Sequence, residues 1–285
     1  MLCVAGPGIV ARNQSDSALA EILHYVKTIR GIDFSPYRSN TISRRLMGRL
    51  QATGMPDYAA YARLLRSDPL EIEKLIDAFT IKVSHFFRNP FTFEVLRDPV
   101  LPDLIETTRG ELRIWSAGCA NGEEAYSVAI LLREILEKEH SRANIMILAT
   151  DIDRNALTEA EKALYKNDSL FELKKGYLDK YFTKLNNDLY KVNDAVRSMV
   201  TFAYHDVTTG VPPKEGIFSD YSMIFCRNVL IYFSLGLQEK VLTSFAGLQH
   251  LGYLVLGEAE SLPARLAGSY NEILPRTKIF RKAGD

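Results

Sequence analysis

The sequence predicts a doubly wound α/β domain preceded by a small all-helical module. Three observations carry that prediction. From residue 112 onward, short apolar β-type runs alternate with amphipathic helical stretches, the rhythm of a parallel sheet covered by helices on both faces. Residues 112–127 read as a strand, a turn of small residues and a helix, the layout of a nucleotide or nucleoside pocket. Residues 16–80 carry helical periodicity alone.

Composition sets the bounds. At 285 residues with 47% hydrophobic content, the chain can bury the core of one large domain and a smaller one. Thirty-five basic residues balance thirty-five acidic ones, so no global charge favours nucleic acid. Cys3, Cys119 and Cys226 lie far apart without Cys-x-x-Cys spacing, which argues against a disulfide framework or a zinc site. Residues 1–15 read as a disordered leader, because Gly6, Pro7 and Gly8 interrupt an apolar stretch that no basic segment precedes. No run approaches the ~20 apolar residues of a membrane span, so a cytoplasmic protein with no membrane insertion is expected.

Asp16 and Ser17 can cap a first helix with Leu19, Ile22, Leu23, Val26 and Ile29 as its stripe, and Gly31 supplies the stop. A second helix, near residues 39–53, sets Ile42, Leu46 and Leu50 at i, i+4 spacing while Arg38, Arg45 and Arg49 follow a neighbouring face, with Arg44 adding charge. That basic face reads either as a solvated surface or as a docking site for an acidic partner. A third helix follows Asp57 with Tyr61, Leu64 and Leu65 inward. A fourth opens at Asp68-Pro69, with Glu71 completing a capping box over the stripe Ile72, Leu75, Ile76 and Phe79. Residues 81–111 then form a linker in which Asn89-Pro90 opens another helix through Leu96. Pro99, Pro102 and Gly110 place the domain boundary near residues 95–111.

Past the small-residue turn, Ala125, Val128, Ala129, Leu132, Ile135 and Leu136 make one helical face. A second strand over residues 144–150 ends at Asp151-Ile-Asp153, where a Rossmann-like fold binds ribose hydroxyls; Asp151 is the first candidate and Asp153 the second. From 166 to 197 the rhythm weakens. Residues 173–185 look helical, Asn186-Asn187-Asp188 is a turn signal and 189–192 alternate as a strand, so this stretch reads as an inserted subdomain with a small antiparallel sheet. Parallel strands resume at residues 199–204 and 221–226, followed by a helix over 238–250 and strands at 253–256 and 278–281. Polar or small residues therefore stand at four strand ends, 116–124, 151, 205–206 and 226–228, which converge on one crevice. The turn has two glycines rather than Gly-x-Gly-x-x-Gly, and no Walker pattern, Gly-x-Ser-x-Gly elbow or His-Glu-x-x-His helix appears. His24, His85, His140, His205 and His250 show no metal spacing, and no metal is expected; His85 and His205 fall near the pocket. Cys119 and Cys226 read as small crevice-lining residues.

Ser116-Ala-Gly-Cys-Ala-Asn-Gly-Glu-Glu-Ala-Tyr-Ser127, Ala149-Thr-Asp-Ile-Asp153, Phe225-Cys-Arg-Asn-Val-Leu-Ile-Tyr-Phe233 and Phe86-Phe-Arg-Asn89 together resemble the CheR-type chemotaxis receptor methyltransferases, over about residues 17–281 and in the family's order. The resemblance implies a Rossmann-like class I S-adenosylmethionine-dependent methyltransferase sheet over 112–285, an all-helical N-terminal domain over 16–80 and a small antiparallel β-subdomain inserted at about 166–197. It implies methyl transfer from S-adenosylmethionine to glutamate side chains of chemoreceptors, leaving S-adenosylhomocysteine. Glu124 and Asp151 match cofactor-contacting carboxylates, Asp206 and Val207 the adenine end, and Arg227 and Asn228 the cofactor-binding pair, with Gly118 in the turn. Ser84 and Arg88 match a Thr and an Arg that reach the cofactor from the linker, and Tyr232 lies beside the transferable methyl.

Arg88 is the expected clamp for the incoming carboxylate, or else it orients Tyr232 or the cofactor carboxylate. Lys82 departs from the family pattern at one further cofactor contact. The resemblance favours docking of the Arg38, Arg45 and Arg49 face on the acidic methylation region of the receptor's cytoplasmic helical domain. The loop between Phe182 and Val192 is short and lacks glycine, so tethering of a receptor C-terminal peptide is not expected; the protein is expected to be a monomer. A non-catalytic S-adenosylmethionine- or S-adenosylhomocysteine-binding signalling protein of the same fold is the alternative, and an NAD-dependent oxidoreductase a third.

Overall fold

The computed structural model describes residues 7–80, 82–108, 111–140, 143–215, 220–249 and 251–283, with the side chains of the first helix from Ser17 onward. The chain divides into two units, one of Met1–Ile81 with Tyr232–Leu237, the other of Lys82–Ile231 with Gln238–Asp285.

Four helices build the first unit: α1 (Pro7–Arg30), α2 (Ser39–Thr53), α3 (Tyr58–Ser67) and α4 (Pro69–Phe79). The helix α1 begins at Pro7 and not at Asp16, so the expected leader is helical from residue 7; residues 1–6 lie outside the described residues. Ile22 and Val26 are buried, but Ile29, in the last turn before Gly31 at φ +75° stops the helix, is exposed. Ile42, Leu46 and Leu50 of α2 are buried as their spacing predicts, each burial stabilising by about 1.5–3 kcal/mol. Asp57 caps α3 by accepting from Ala60 N at 2.7 Å, and Asp68 caps α4 by accepting from Leu70 N at 2.9 Å. The capping box is not completed. Glu71 turns inward instead, where its Oε1 accepts from Tyr61 Oη at 2.6 Å and both oxygens accept from Arg49 Nη2 at 2.8 Å. A cation and a phenol outbid one exposed helix-end N–H for a buried carboxylate. The short segment Tyr232–Leu237 belongs here because Arg38 N donates to Tyr232 O at 2.8 Å and Ser234 N to Pro36 O at 3.1 Å.

The second unit opens with α5 (Pro90–Val95), one π-helical turn over Leu96–Val100 and α6 (Leu101–Thr107). That turn carries the helical path through Pro99, so the expected boundary at residues 95–111 is not observed and the units part at residues 81 and 82. The wider hydrogen-bonding ring of a π turn absorbs the N–H that proline lacks. There follow β1 (Glu111–Ala117), α7 (Glu123–Glu139), β2 (Asn144–Asp151), α8 (Arg154–Lys162), β3 (Leu164–Lys166), α9 (Lys175–Tyr181), β4 (Phe182–Lys184), β5 (Leu189–Val192), α10 (Asp194–Arg197), β6 (Val200–Tyr204), β7 (Met223–Cys226), α11 (Leu235–Gly247), β8 (Tyr253–Leu256), β9 (Tyr270–Glu272) and β10 (Ile279–Lys282).

The main sheet runs β6-β2-β1-β7-β8-β10-β9, parallel through β8 and antiparallel at its last two strands. Strand order reverses at β1, so the C-terminal ends of β6, β2, β1 and β7 stand side by side at the crevice. Trp115 fixes the centre of the sheet: its indole N–H donates to Thr150 Oγ1 at 2.9 Å and its ring meets Phe245 edge-on. The insertion is a three-stranded antiparallel sheet ordered β3-β5-β4. Its first strand begins at Leu164, and residues 182–184, expected as helix, pair with β5. Phe182 and Val192 are buried cross-strand partners there, and that pairing overrides the local helical pattern. The strand β9 carried no sequence signal; it pairs through Tyr270↔Lys282 and Phe280↔Glu272.

Candidate functional site

The turn after β1 is folded by its own main chain. Gly118 N and Cys119 N both donate to Thr150 O, at 2.8 and 3.0 Å, and Gly122 N donates to Cys119 O at 2.9 Å. Gly118, Ala120 and Gly122 take φ of +80°, +48° and +90°. The missing Cβ atoms serve packing. A Cβ on Gly118 would lie 2.3 Å from Val229 Cγ2, and one on Gly122 would lie 2.9 Å from Phe202 Cζ. The two glycines therefore let Val229 and Phe202 close on the turn.

Carboxylates surround this turn. Asp151 Oδ2 accepts from Ala120 N at 2.8 Å and Oδ1 from Asp153 N at 2.9 Å. Burial pushes its carboxyl above the ordinary range, and the N–H groups of Asp153 and Ala120 pull it back. Two of about four acceptor sites are used, which leaves capacity for a vicinal diol. Asp153 is committed elsewhere: Oδ1 caps α8 through Asn155 N and Ala156 N, and Oδ2 pairs with Lys82 Nζ at 2.8 Å. Lys82, the departure from the family pattern, thus ties the linker to the end of β2. Asp206 follows β6, and its Oδ1 accepts from Thr208 N and Oγ1 at 2.9 and 2.6 Å. Val207 opens the next 3-10 turn.

Adjacent residues at the start of α7 face different ways. Glu124 accepts from Ser116 Oγ at 2.8 Å and from Arg227 Nη1 at 3.2 Å. Glu123 is buried, and burial pushes its carboxyl up to about 7, opposed by hydrogen bonds that include the Ser84 hydroxyl. Its Oε2 has no hydrogen-bond partner among the described residues. The Ser84 hydroxyl, expected at the cofactor, bonds to Glu123 beside the turn.

Arg227 is the knot of the crevice. Its guanidinium, 2% exposed, holds Glu124 and also donates from Nη2 to Arg88 O and Asn89 Oδ1, both at 2.8 Å, with its plane near the Phe93 ring. Asn89 therefore spends its side chain on Arg227 and does not cap α5. Three sequence motifs, the turn after β1, the linker and the end of β7, meet on this one side chain. Arg88 Nη1 donates to Val83 O at 2.9 Å. Asn228 sits at φ +60°, and its N–H donates to Glu260 Oε2 at 3.0 Å. Glu260, just past the next strand β8, is a residue beside the crevice loop that sequence reading missed; Gly257 before it is the signal, a glycine at a strand end close to two carboxylates. Tyr232 ends the 3-10 turn Leu230–Tyr232 and groups with the helical unit.

Burial pushes the Cys119 and Cys226 thiols well above their ordinary value, so neither is a thiolate nucleophile at neutral pH. His85 Nε2 pairs with Glu172 at 2.7 Å, and His205 packs against Trp115 while burial lowers its pKa. Among the described residues no cluster of His, Cys, Asp or Glu could hold a metal; His250 lies outside them. Of the three docking arginines, Arg49 is consumed by buried Glu71, and Arg38 Nε donates to Phe233 O at 3.1 Å. The solvent-facing basic surface of the helical unit is an open cavity of about 470 Å³ lined by Arg44, Arg45, Gly48, Arg49 and Ala78.

Carboxylate acceptors stand at the ends of β2 and β6, in Asp151 and Asp206. The chain matches the CheR methyltransferase SAM binding domain over residues 82–276 and the CheR methyltransferase all-alpha domain over residues 17–80. It is 30% identical over 272 residues to a chemotaxis protein methyltransferase of Borreliella burgdorferi, covering 93% of this chain and 94% of that one. It is 31% identical to chemotaxis protein methyltransferase 2 of Vibrio cholerae, at 91% and 88% coverage, and 30% identical to a chemotaxis protein methyltransferase of Listeria innocua, at 85% and 90%. S-adenosylmethionine is the cofactor of this domain. With both of its domains matched in order along one chain, the protein belongs to the CheR methyltransferase family.

Proposed function

We propose that this protein transfers a methyl group from S-adenosylmethionine to glutamate side-chain carboxylates of chemoreceptors, forming glutamyl methyl esters in chemotaxis-type adaptation. The observation that carries this reading is Arg88. Its carbonyl is anchored by Arg227, its guanidinium donates to Val83 O, and among the described residues no carboxylate is paired with it. A guanidinium with donors to spare, on a residue whose carbonyl Arg227 holds, is suited to receive an incoming carboxylate in bidentate fashion. Glutamate is ionised near neutral pH and attacks without a general base, in keeping with the lack of any Ser-His-Asp pattern in the sequence.

Bound S-adenosylmethionine supplies a sulfonium methyl group at carboxylate-accessible carbon. In this reading Asp151 holds the ribose diol, Asp206 Oδ2 and Val207 take the adenine end, and Gly118, Glu124, Arg227 and Asn228 line the methionine end. Tyr232, four residues beyond Asn228 in the chain, carries the proposed place beside the methyl. The work of the protein is alignment and charge placement. A guanidinium at Arg88 could equally orient the cofactor's own carboxylate, and kinetics separate the roles: Arg88→Lys raises KM for receptor in the first case and the Kd for S-adenosylhomocysteine in the second.

The proposed partner is the acidic methylation region of a receptor's cytoplasmic helical domain, met by Arg44 and Arg45 of α2, with Arg38 bonded to Phe233 O and Arg49 paired with Glu71. Action in the cytoplasm as a monomer, without a receptor-tail tether, belongs to the same proposal; among the described residues no helix is long and apolar enough to cross a membrane. Lys82 has a structural partner in Asp153, so its departure gives no ground for a binding-only protein. Incubation with tritiated S-adenosylmethionine and receptor-bearing membranes should yield a base-labile methyl ester. Cofactor binding by calorimetry with no ester formed sinks the enzyme reading and leaves the signalling alternative.

A further inference from the structure

The loop that carries Arg227 and Asn228 is held from below by one buried carboxylate. Glu260, 4% exposed, accepts from Asn228 N at 3.0 Å and Gly257 N at 2.6 Å through Oε2, and from Ile231 N at 3.2 Å through Oε1. Among the described residues no cation is paired with it, and backbone N–H groups hold it instead. The fit is tight, since a Cβ on Gly257 would lie 2.8 Å from both Asn228 N and Glu260 Oε2. Above the carboxylate the chain is in a left-handed conformation at Asn228, φ +60°, which asparagine adopts more readily than most residues yet still at a cost. The next residue, Val229, fills the place of the absent Gly118 Cβ. One acceptor therefore sets two things: the direction in which Asn228 leaves the backbone, and the seating of Val229 on the turn after β1.

We propose that Glu260 is a positioning residue for methyl transfer, fixing Asn228 and the Val229–Gly118 contact so that the loop after β7 and the turn after β1 present one cofactor surface. The proposal rests on the reading of Asn228 as a cofactor contact. Glu260 itself touches no cofactor. Its carboxylate offers acceptors to three N–H donors at once, and an amide cannot: in Glu260→Gln one terminal group is itself a donor and meets an N–H head-on.

The test is a double-mutant cycle on the full-length protein, read by S-adenosylhomocysteine calorimetry and thermal melting. Asn228→Ala alone should weaken binding about tenfold, as should Glu260→Gln alone, through lost or misdirected hydrogen bonds. In the Asn228→Ala background, Glu260→Gln should cost at most about twofold more in affinity while still lowering Tm as much as it does alone, because the two residues act through one contact. Additive losses overturn the proposal and make Glu260 a general stabiliser. Full binding in Glu260→Gln with weakened binding in Asn228→Ala also overturns it. Full binding in Asn228→Ala is a different failure, that of the cofactor assignment on which the proposal stands. Should Glu260→Gln not fold, Gly257→Ala provides the second variant, pressing a methyl on the same N–H and carboxylate, with the same coupling to Asn228→Ala expected.

Discussion

Asp151 and Glu123 are buried carboxylates in one crevice, and their partners give them opposite fates. Asp151 has two N–H donors and spare acceptor sites. Asp151→Ala should weaken S-adenosylhomocysteine binding by ~1–3 kcal/mol through the lost charged hydrogen bonds; calorimetry showing unchanged affinity removes it from the ribose site. Glu123 has an oxygen without a partner and a carboxyl raised from 4.5 to about 7. The folded state therefore holds a proton that the unfolded chain releases above its ordinary pKa. Stability from this group is fully present below pH ~4.5, declines as pH rises, and is lost once pH passes about 7, a total of about 3 kcal/mol. Glu123→Gln should flatten that slope: urea midpoints would match the wild type near pH 4.5 and exceed it at pH 8. Equal slopes for the two proteins would show that another group titrates. Sequence marked Glu124 and passed over Glu123, because two adjacent helical residues differ by about 100° in direction and only packing shows which faces the core.

At the scale of elements, ion pairs replace expected local contacts. Glu71 reads as a helix cap from sequence, yet α2 and α3 bring Arg49 and Tyr61 to it. Arg49→Ala should destabilise the protein by about 3 kcal/mol, since it leaves buried Glu71 with only the Tyr61 hydroxyl and the more distant, exposed Lys74 ammonium at 4.0 Å, and chemical denaturation measures this. A change under ~0.5 kcal/mol would place Arg49 back among surface charges. Lys82 and Asp153 join the linker to α8 in the same way. Lys82→Met should lower stability by ~1–3 kcal/mol, less than the fully buried case because Lys82 remains partly exposed. The π turn at Pro99 belongs to this scale too: proline and a following Leu-Pro looked like a boundary, and the helical path passes through because the neighbours Leu96, Val100 and Leu101 are all buried.

For the whole molecule, the division of labour gives the clearest prediction. Reversing Arg44 and Arg45 to glutamate should reduce receptor methylation about tenfold at low ionic strength and less as salt is raised, with S-adenosylhomocysteine affinity unchanged. Unaltered methylation would make that face an ordinary solvated surface. Sequence by itself determined the order of the domains, the parallel sheet, the four strand ends at the crevice and the family, because strand-helix alternation, apolar spacing and short motifs are local properties of the chain. It also singled out Asp151, Glu124, Arg227 and Asn228 as candidates, each of which lies within a motif. Only the tertiary structure decided that Arg49 pairs with buried Glu71, that Ser84 bonds to Glu123, that residues 182–184 pair as a strand, and that Glu260 holds the Asn228 N–H. Those outcomes depend on contacts between residues far apart in sequence, where the desolvation of one charge is offset by donors from another element. No pattern along the chain records which donor that will be.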